Sequence, residues 1–577
     1  MQLQPQQDIF RKRLPFVIIA LTVATAALLG RLATLQYQSP EVLNYLERVR
    51  NSNYNDTLQL AASRGRIYDR DLEPLAVNTL DYEIGISPNL VAEPRETATT
   101  LASILELNEL EAFEMVSSNQ PWVSLAKPVS AEVAQQIGQA DLGGVTIDPI
   151  PRRQYPQGTL AAQIIGFVGE DLQGYYGVEG FYQDQLAGLV RDRQVSNIPF
   201  DVPQDFGGDR GKDIVLTIDR DIQFLVESEL QHAVTESGAS EGTIIIMDPR
   251  NGDILAMASY PTFDPNFYYD VVDPTLLRNP AIGEQYEPGS VMKVLTVAAA
   301  IEDGAITPGW TYNDQGILEM GGITIQNWDR NAHGLVDTTQ LLVESLNVGA
   351  ATVATELGPT NFYSMMSSFG IGRATGIDLQ GEQAGMMFVP GDPDWSESQL
   401  GTNSFGQGVA TTPLQMLTAV SALANGGLMM QPHVVHQIID GTEIYTSQPS
   451  ALGRPISAET AGILTEMMVS VVNDGVDEAG IAGYTIAGKT GTAQIPTPLG
   501  YENDSSIVTF IGFLPADDPV AVVLVKLDRP REYWGSLVAA PVFRRLAERL
   551  VIMLEIPPDD IRHALAAEGG AVGHINR

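Results

Sequence analysis

The sequence predicts a mixed α/β protein: one sheet closed by strands from distant parts of the chain, helices on its faces, and a single apolar helix ahead of it. Three observations carry this. Residues 14–29 form a nearly unbroken apolar run that continues past Gly30 and Arg31 to Leu35. Short runs with strand character stand at 213–218, 243–247, 254–258, 507–514 and 520–527. Between the early and late strands lie segments rich in helix formers, one of them beginning just after Ser290.

Composition excludes several classes. The 577 residues suffice for two or three domains with substantial cores. Net charge is −38, from 33 basic and 71 acidic residues, and no basic patch stands out that could bind nucleic acid. The imbalance reflects a shortage of lysine, six against 27 arginines, and fits an acidic soluble surface. There is no cysteine, hence no disulfide, thiolate or Cys-based metal chemistry. The six histidines are scattered, with only His433 and His436 close together, so neither a metal nor another cofactor is expected.

In chain order, residues 1–13 are polar and end in Arg11-Lys12-Arg13, which suggests a cytoplasmic tail. Arg48 and Arg50 on the other side reduce that bias. Residues 14–36 are expected to span a membrane once. From 14 to 35 the run reaches roughly 33 Å at about 1.5 Å per residue, enough to cross a bilayer core. Arg31 falls near the far interface, where its long stem can snorkel. No small-residue cleavage site follows, so the helix is expected to be an uncleaved anchor.

Residues 37–205 carry mixed signals. Arg64 to Arg70 lead into strand-like stretches around Leu75-Ala76-Val77 and 82–86, with helical stretches near 97–117 and 130–140. Nothing there sets a nucleophile beside a base, so an extended noncatalytic α+β region is expected. The pattern sharpens over 206–555. Residues 221–236 read as an amphipathic helix with Ile222, Leu225, Val226 and Leu230 on one face, and 537–554 as a long apolar helix. Asp248-Pro249-Arg250-Asn251-Gly252 joins two strands as a hairpin loop. Residues 556–577 carry no usable motif and read as a tail.

Pro288 and Gly289 break what precedes Ser290, and the helix after it stops at Gly304. Ser290 is thus expected in the first turn of a buried helix, with Lys293 one turn on along the same face. A serine hydroxyl becomes a useful nucleophile when a neighbour takes its proton, and a buried amine can do so. Taken alone, this pair fits a surface helix with a serine cap equally well.

Two other matches fail on context. Gly238-Ala239-Ser240-Glu241-Gly242 fits a nucleophile elbow, which needs strand, turn, then helix; here helix precedes strand, so Ser240 is assigned to a loop. Residues 483–490 fit the P-loop pattern completely. The stretch 484–487 is itself strand-like, however, and the Pro-containing segment after Gly491 cannot open the helix that a phosphate would need. A nucleotide-hydrolysing function is rejected.

Three short motifs remain: Ser290-x-x-Lys293, Ser345-Leu346-Asn347 and Lys489-Thr490-Gly491-Thr492. In this order they resemble the motif trio of penicillin-binding proteins. Flanking stretches agree with the class B members over about residues 10–550. They include Arg64-Gly65-x-Ile67-x-Asp69-Arg70, Arg153-x-Tyr155-Pro156-x-Gly158 and Gly177-Val178-Glu179. Met292, and Asp71-Leu72-Glu73 in place of an Asn-Gly turn, depart from the usual pattern without removing a chemical group.

The resemblance implies a noncatalytic pedestal (dimerisation-type) domain over 37–205. A transpeptidase domain would follow over 206–555, with a five-stranded antiparallel sheet flanked by helices. It implies a D,D-transpeptidase acting on peptidoglycan stem peptides that end in D-Ala-D-Ala, with β-lactams as inhibitors. Ser290 would be the nucleophile, Lys293 its base, and Ser345 a proton relay tuned by Lys489. Asn347 would bind substrate backbone and orient Lys293. Lys489, Thr490, Gly491 and Thr492 would hold the terminal carboxylate, and the backbone N–H groups of Ser290 and Thr492 would form an oxyanion hole. No glycosyltransferase region precedes this domain, so the resemblance implies a SEDS-type membrane glycosyltransferase as partner. Glu287 before Pro288-Gly289-Ser290 leans towards the division (septal) type over the elongation type. A β-lactam sensor or an inactive scaffold is the alternative. A sensor would usually have several membrane spans and a scaffold lost motif residues; the chain shows neither.

Overall fold

In the computed structural model, residues 6–36, 55–60, 63–188, 191–196, 210–497 and 500–567 are described. The apolar run lies within α1 (Gln6–Gln36), long enough to cross a bilayer, and its residues 14–31 are exposed. Helix α1 belongs to a small unit made of Met1–Ala62 and Leu189–Asp209. The same unit contains an antiparallel ladder of β1 (Asn55–Leu60) and a second strand (Arg191–Ser196).

The larger unit, Ser63–Gly188 with Arg210–Arg577, holds two apolar cores. Its first strands are β2 (Ile67–Tyr68) and β3 (Pro74–Ile86). Helices α2 (Pro94–Leu105), α3 (Glu109–Val116) and α4 (Ala131–Gln139), with β4 (Val123–Val129) and β5 (Val145–Gln154), complete the early part. Asn108 caps α3 by accepting the Leu110 and Glu111 amides, which explains the break between α2 and α3. Ile84, Ile86, Leu101, Val116 and Ile137 form the smaller core here.

One more strand, β6 (Asp213–Leu216), differs from the sequence expectation. It pairs in parallel with β2 and antiparallel with Val435–Asp440, in a seven-stranded sheet that also contains β3, β4 and β5. It takes no part in the five-stranded sheet. Its apolar run specified a strand but not a partner, because hydrophobic patterning is silent about which edge a strand joins. Strands from both sides of the expected boundary at 205/206 therefore share one sheet.

Helix α5 (Arg220–Ser237) is capped by Asp219, whose carboxylate accepts the amides of Asp221 and Ile222 at 3.0 and 3.1 Å. The five-stranded sheet begins with β7 (Glu241–Met247) and β8 (Ile254–Tyr260). Helices α6 (Met292–Glu302), α7 (Asn347–Leu357) and α8 (Pro413–Ala424) follow. Strands β9 (Ala487–Thr497), β10 (Gly500–Leu514) and β11 (Ala521–Asp528) close it, in the order β8-β7-β11-β10-β9, antiparallel throughout. Every residue of β11 is buried, so both faces of this central strand are covered. Helix α9 (Gly535–Met553) packs against α5 and the sheet, and α8 packs against β11.

The fifth strand is thus β9, which carries Lys489-Thr490-Gly491. Its glycines and threonines hide it from a hydrophobicity pattern, although 484–487 already looked extended. It has a single neighbour and forms the sheet edge. Both rejected matches stay rejected. Ser240 lies between α5 and β7, and Gly488-Lys489 lies inside a strand with no helix after it.

Candidate active site

Ser290 sits in a single 3₁₀ turn (Gly289–Val291) that runs straight into α6. Gly289 has a φ of +57°, and a Cβ there would lie 2.8 Å from the Thr492 carbonyl oxygen. Glycine therefore allows both the turn and the close approach of β9. Nearly all of α6 is buried, so Lys293, one turn after Ser290, has its side chain inside the protein with no exposed surface. Its Nζ lies 3.1 Å from Ser290 Oγ.

Ser345 enters from the loop before α7. Its φ of +55° is unusual for a residue with a Cβ. Its carbonyl accepts from Lys293 Nζ at 2.5 Å, and its Oγ lies 3.2 Å from the same nitrogen. Lys489, on the edge strand, reaches Ser345 Oγ from the other side at 3.1 Å and also donates to the Thr490 carbonyl at 3.2 Å. One hydroxyl therefore stands between two buried amines. Burial drives the Lys293 pKa well below the ordinary lysine value, and the charge of Lys489 adds to this. Burial lowers Lys489 to about 7.

The remaining expected residues flank this centre. Gly491 faces the nucleophile turn: a Cβ on it would sit 3.0 Å from the Pro288 carbonyl oxygen. Thr492 Oγ accepts from the Gly535 amide at the start of α9 (3.2 Å), which leaves its own proton free to donate to a ligand. Thr490 Oγ lies 3.4 Å from Lys489 Nζ. Asn347 is the first residue of α7, and its amide nitrogen donates to the Gln326 carbonyl at 3.0 Å. The orienting contact on Lys293 comes from the Ser345 carbonyl, not from Asn347. Sequence reasoning missed the loop 404–411, whose Gly406 carbonyl accepts the Gly289 amide at 3.3 Å. The closely spaced glycines of Gly406-Gln407-Gly408 were its only signal.

A hydroxyl nucleophile with a low-pKa amine as neighbour, set beside an edge strand that can receive an extended peptide, is equipped for serine-based acyl transfer. Comparison with known proteins agrees. Residues 242–548 match the penicillin binding protein transpeptidase domain, and residues 59–197 the penicillin-binding protein dimerisation domain. Stage V sporulation protein D of Bacillus subtilis is 33% identical over 564 residues, covering 95% of this chain and 86% of that protein. Peptidoglycan D,D-transpeptidase FtsI of Escherichia coli is 29% identical, with 93% and 91% covered. The crystal structure of penicillin binding protein 3 from Mycobacterium tuberculosis complexed with aztreonam superposes with a TM-score of 0.69 at 29% identity. It covers 87% of this chain and 98% of that one. The chain belongs to the penicillin-binding protein transpeptidase family.

Proposed function

We propose that the protein is a membrane-anchored peptidoglycan D,D-transpeptidase that works through Ser290. Neutral Lys293 takes the hydroxyl proton as Ser290 Oγ attacks the carbonyl of the penultimate D-Ala. The oxyanion rests on the amides of Ser290 and Thr492. The C–N bond breaks, and the departing D-Ala amine takes a proton through Ser345 Oγ. An amine of a second stem peptide then attacks the ester, gives up a proton to the same group of residues, and releases Ser290. Lys489, Thr490, Gly491 and Thr492 hold the terminal carboxylate, and Asn347 binds the peptide backbone. The observation that carries this reading is Ser345 Oγ within 3.2 Å of both amines, one of them also on Ser290 Oγ.

Further parts of the reading have separate supports. Arg11-Lys12-Arg13, within α1 and just before its apolar run, supports a cytoplasmic N-terminus, with the catalytic region outside the cell. The matched regions, 59–197 and 242–548, support a noncatalytic domain followed by a catalytic one. Glycan strands would come from a SEDS-type glycosyltransferase in the same membrane. Glu287 before Pro288-Gly289-Ser290 supports a septal role, which midcell rather than side-wall location of the tagged protein would bear out. The catalytic assignment is tested with a fluorescent penicillin. Ser290→Ala abolishes labelling while its melting temperature stays near that of the parent; Ser240→Ala labels normally. Labelling that survives Ser290→Ala overturns the assignment.

A further inference from the structure

Glu287 lies three residues before the nucleophile, and its carboxylate is buried, with 7% of the residue exposed. One oxygen, Oε1, accepts two hydrogen bonds from distant parts of the chain. The first comes from the Gly408 amide at 2.9 Å and the second from the Tyr501 hydroxyl at 3.3 Å. The other oxygen, Oε2, is buried without a hydrogen-bond partner among the described residues. Leaving a carboxylate oxygen unsatisfied in the interior is costly, so stability alone does not account for an acid here.

Three segments meet at this carboxylate. Residues 286–290 lead into the nucleophile. They pair with the loop 406–411 through reciprocal Tyr286–Thr411 hydrogen bonds of 2.9 Å and through the Gly289 amide to Gly406. The third segment is the far end of the β9–β10 hairpin, where Tyr501 stands opposite Pro496. Gln407 reaches the same hairpin at Gln494, at 3.2 Å. Thr492 lies two residues before Gln494 on β9, and its carbonyl faces Gly289 closely enough to exclude a Cβ. The spacing between the Ser290 amide and the Thr492 amide is therefore set where these segments are tied together.

We propose that Glu287 is a positioning residue for the oxyanion hole: with Gly408 and Tyr501 it ties the segment entering Ser290 to the hairpin carrying Thr492, and so fixes the separation of the two oxyanion-binding amides. This rests on the assignment of Ser290 and Thr492 given above. Burial raises the Glu287 pKa, and burial together with the adjoining carboxylate pushes the Tyr501 phenol up to about 12. Tyr501 therefore stays a hydrogen-bond donor throughout the working range. Oε1 accepts whether or not Glu287 is protonated, so the tie requires an acceptor rather than a charge.

The test measures penicillin acylation of the full-length protein in detergent by rapid mixing, separating the binding constant from the acylation rate constant. Glu287→Leu lowers the acylation rate constant about 10- to 100-fold and leaves the binding constant nearly unchanged. Tyr501→Phe, a change on an exposed residue that the fold tolerates, lowers it about 3- to 10-fold. The double variant is no slower than Glu287→Leu alone, because both substitutions break one tie. Glu287→Gln restores the acylation rate constant to within about threefold, since its amide oxygen still accepts. Equal acylation rate constants in Tyr501→Phe and the parent overturn the proposal. So does a Glu287→Leu protein whose melting temperature falls while the rate constant of its folded fraction does not. Ser290→Ala is run alongside. If it still labels, the catalytic assignment fails and this proposal with it; if it does not, the outcomes above concern Glu287 alone.

Discussion

Lys293 and Lys489 sit on either side of one hydroxyl, and the proposed mechanism asks opposite things of them. Lys293 has to give up its proton to serve as base, and arginine does not do so at any usable pH. Lys293→Arg therefore abolishes penicillin acylation in a protein that remains folded. Lys489 has to stay positive towards a carboxylate, so Lys489→Arg retains part of the rate, with the loss set by how a guanidinium fits beside Ser345. Equal acylation rates for the two variants would remove Lys293 from the role of base. The same pair sets the pH dependence. In the free enzyme, acylation efficiency falls as pH drops through the Lys293 value, which burial and the charge of Lys489 hold far below the usual lysine range. It falls again as pH rises through about 7, where Lys489 loses its charge. The two limbs belong to the pair rather than to either amine alone. Lys489→Arg removes the alkaline limb, and a limb that stays near 7 in that variant assigns it to another group. The trio of motifs was legible because serine, lysine and asparagine carry the chemistry at fixed spacings. The left-handed backbone of Ser345 and the burial of Lys489 were not, since nothing in a local sequence reports its distant neighbours.

Among the elements, those defined by continuous apolar runs or a clear apolar face were read well. Strands β7, β8, β10 and β11 and helices α5 and α9 all stand close to where patterning put them. The failures were of partnership and of composition. β6 was seen but joined another sheet, and β9 resembled a phosphate loop because its sequence serves the site and not the core. Gly289 and Gly491 let that strand approach the Ser290 turn closely. Gly289→Ala places a methyl 2.8 Å from the Thr492 carbonyl oxygen at a φ of +57°. The left-handed conformation alone costs about 1–2 kcal/mol with a Cβ present. The protein relieves the clash by moving β9 away from the turn, which spoils the proposed oxyanion hole. The expected result is a small fall in melting temperature with at least about a tenfold loss of acylation rate. An unchanged acylation rate in Gly289→Ala would show that the approach of the two segments has no part in the reaction.

On the scale of the whole chain, three stretches that supported the resemblance come together in one buried ion cluster, a convergence invisible in their sequence positions. Glu179 has no exposed surface. It accepts from Arg64 Nε at 2.6 Å and from Arg153 Nε at 2.7 Å, and Tyr155 Oη lies 3.5 Å away. Arg64 also donates to the Glu179 carbonyl at 3.1 Å and to Gln183 at 2.8 Å, and Arg153 to Asn78 at 2.9 Å. Arg64 leads into β2, Arg153 lies in β5 and β2 pairs with β6, so the cluster stands beside the sheet that joins early and late parts of the chain. Its carboxylate is the neutralising charge among two arginines that water scarcely reaches. Removing it leaves both cations uncompensated, at a cost of about 3–5 kcal/mol. Glu179→Leu therefore lowers the melting temperature steeply. Glu179→Gln, which keeps an acceptor but no charge, lowers it less. Neither substitution touches Ser290, so the acylation rate of the folded protein at low temperature stays within about twofold of the parent, as expected for distant independent sites. Melting followed by calorimetry, with penicillin acylation measured on the same samples, separates the two effects. A Glu179→Leu protein that melts like the parent would mean that the arginines find other partners. One that stays folded but no longer acylates would make this cluster part of the catalytic apparatus instead of its support.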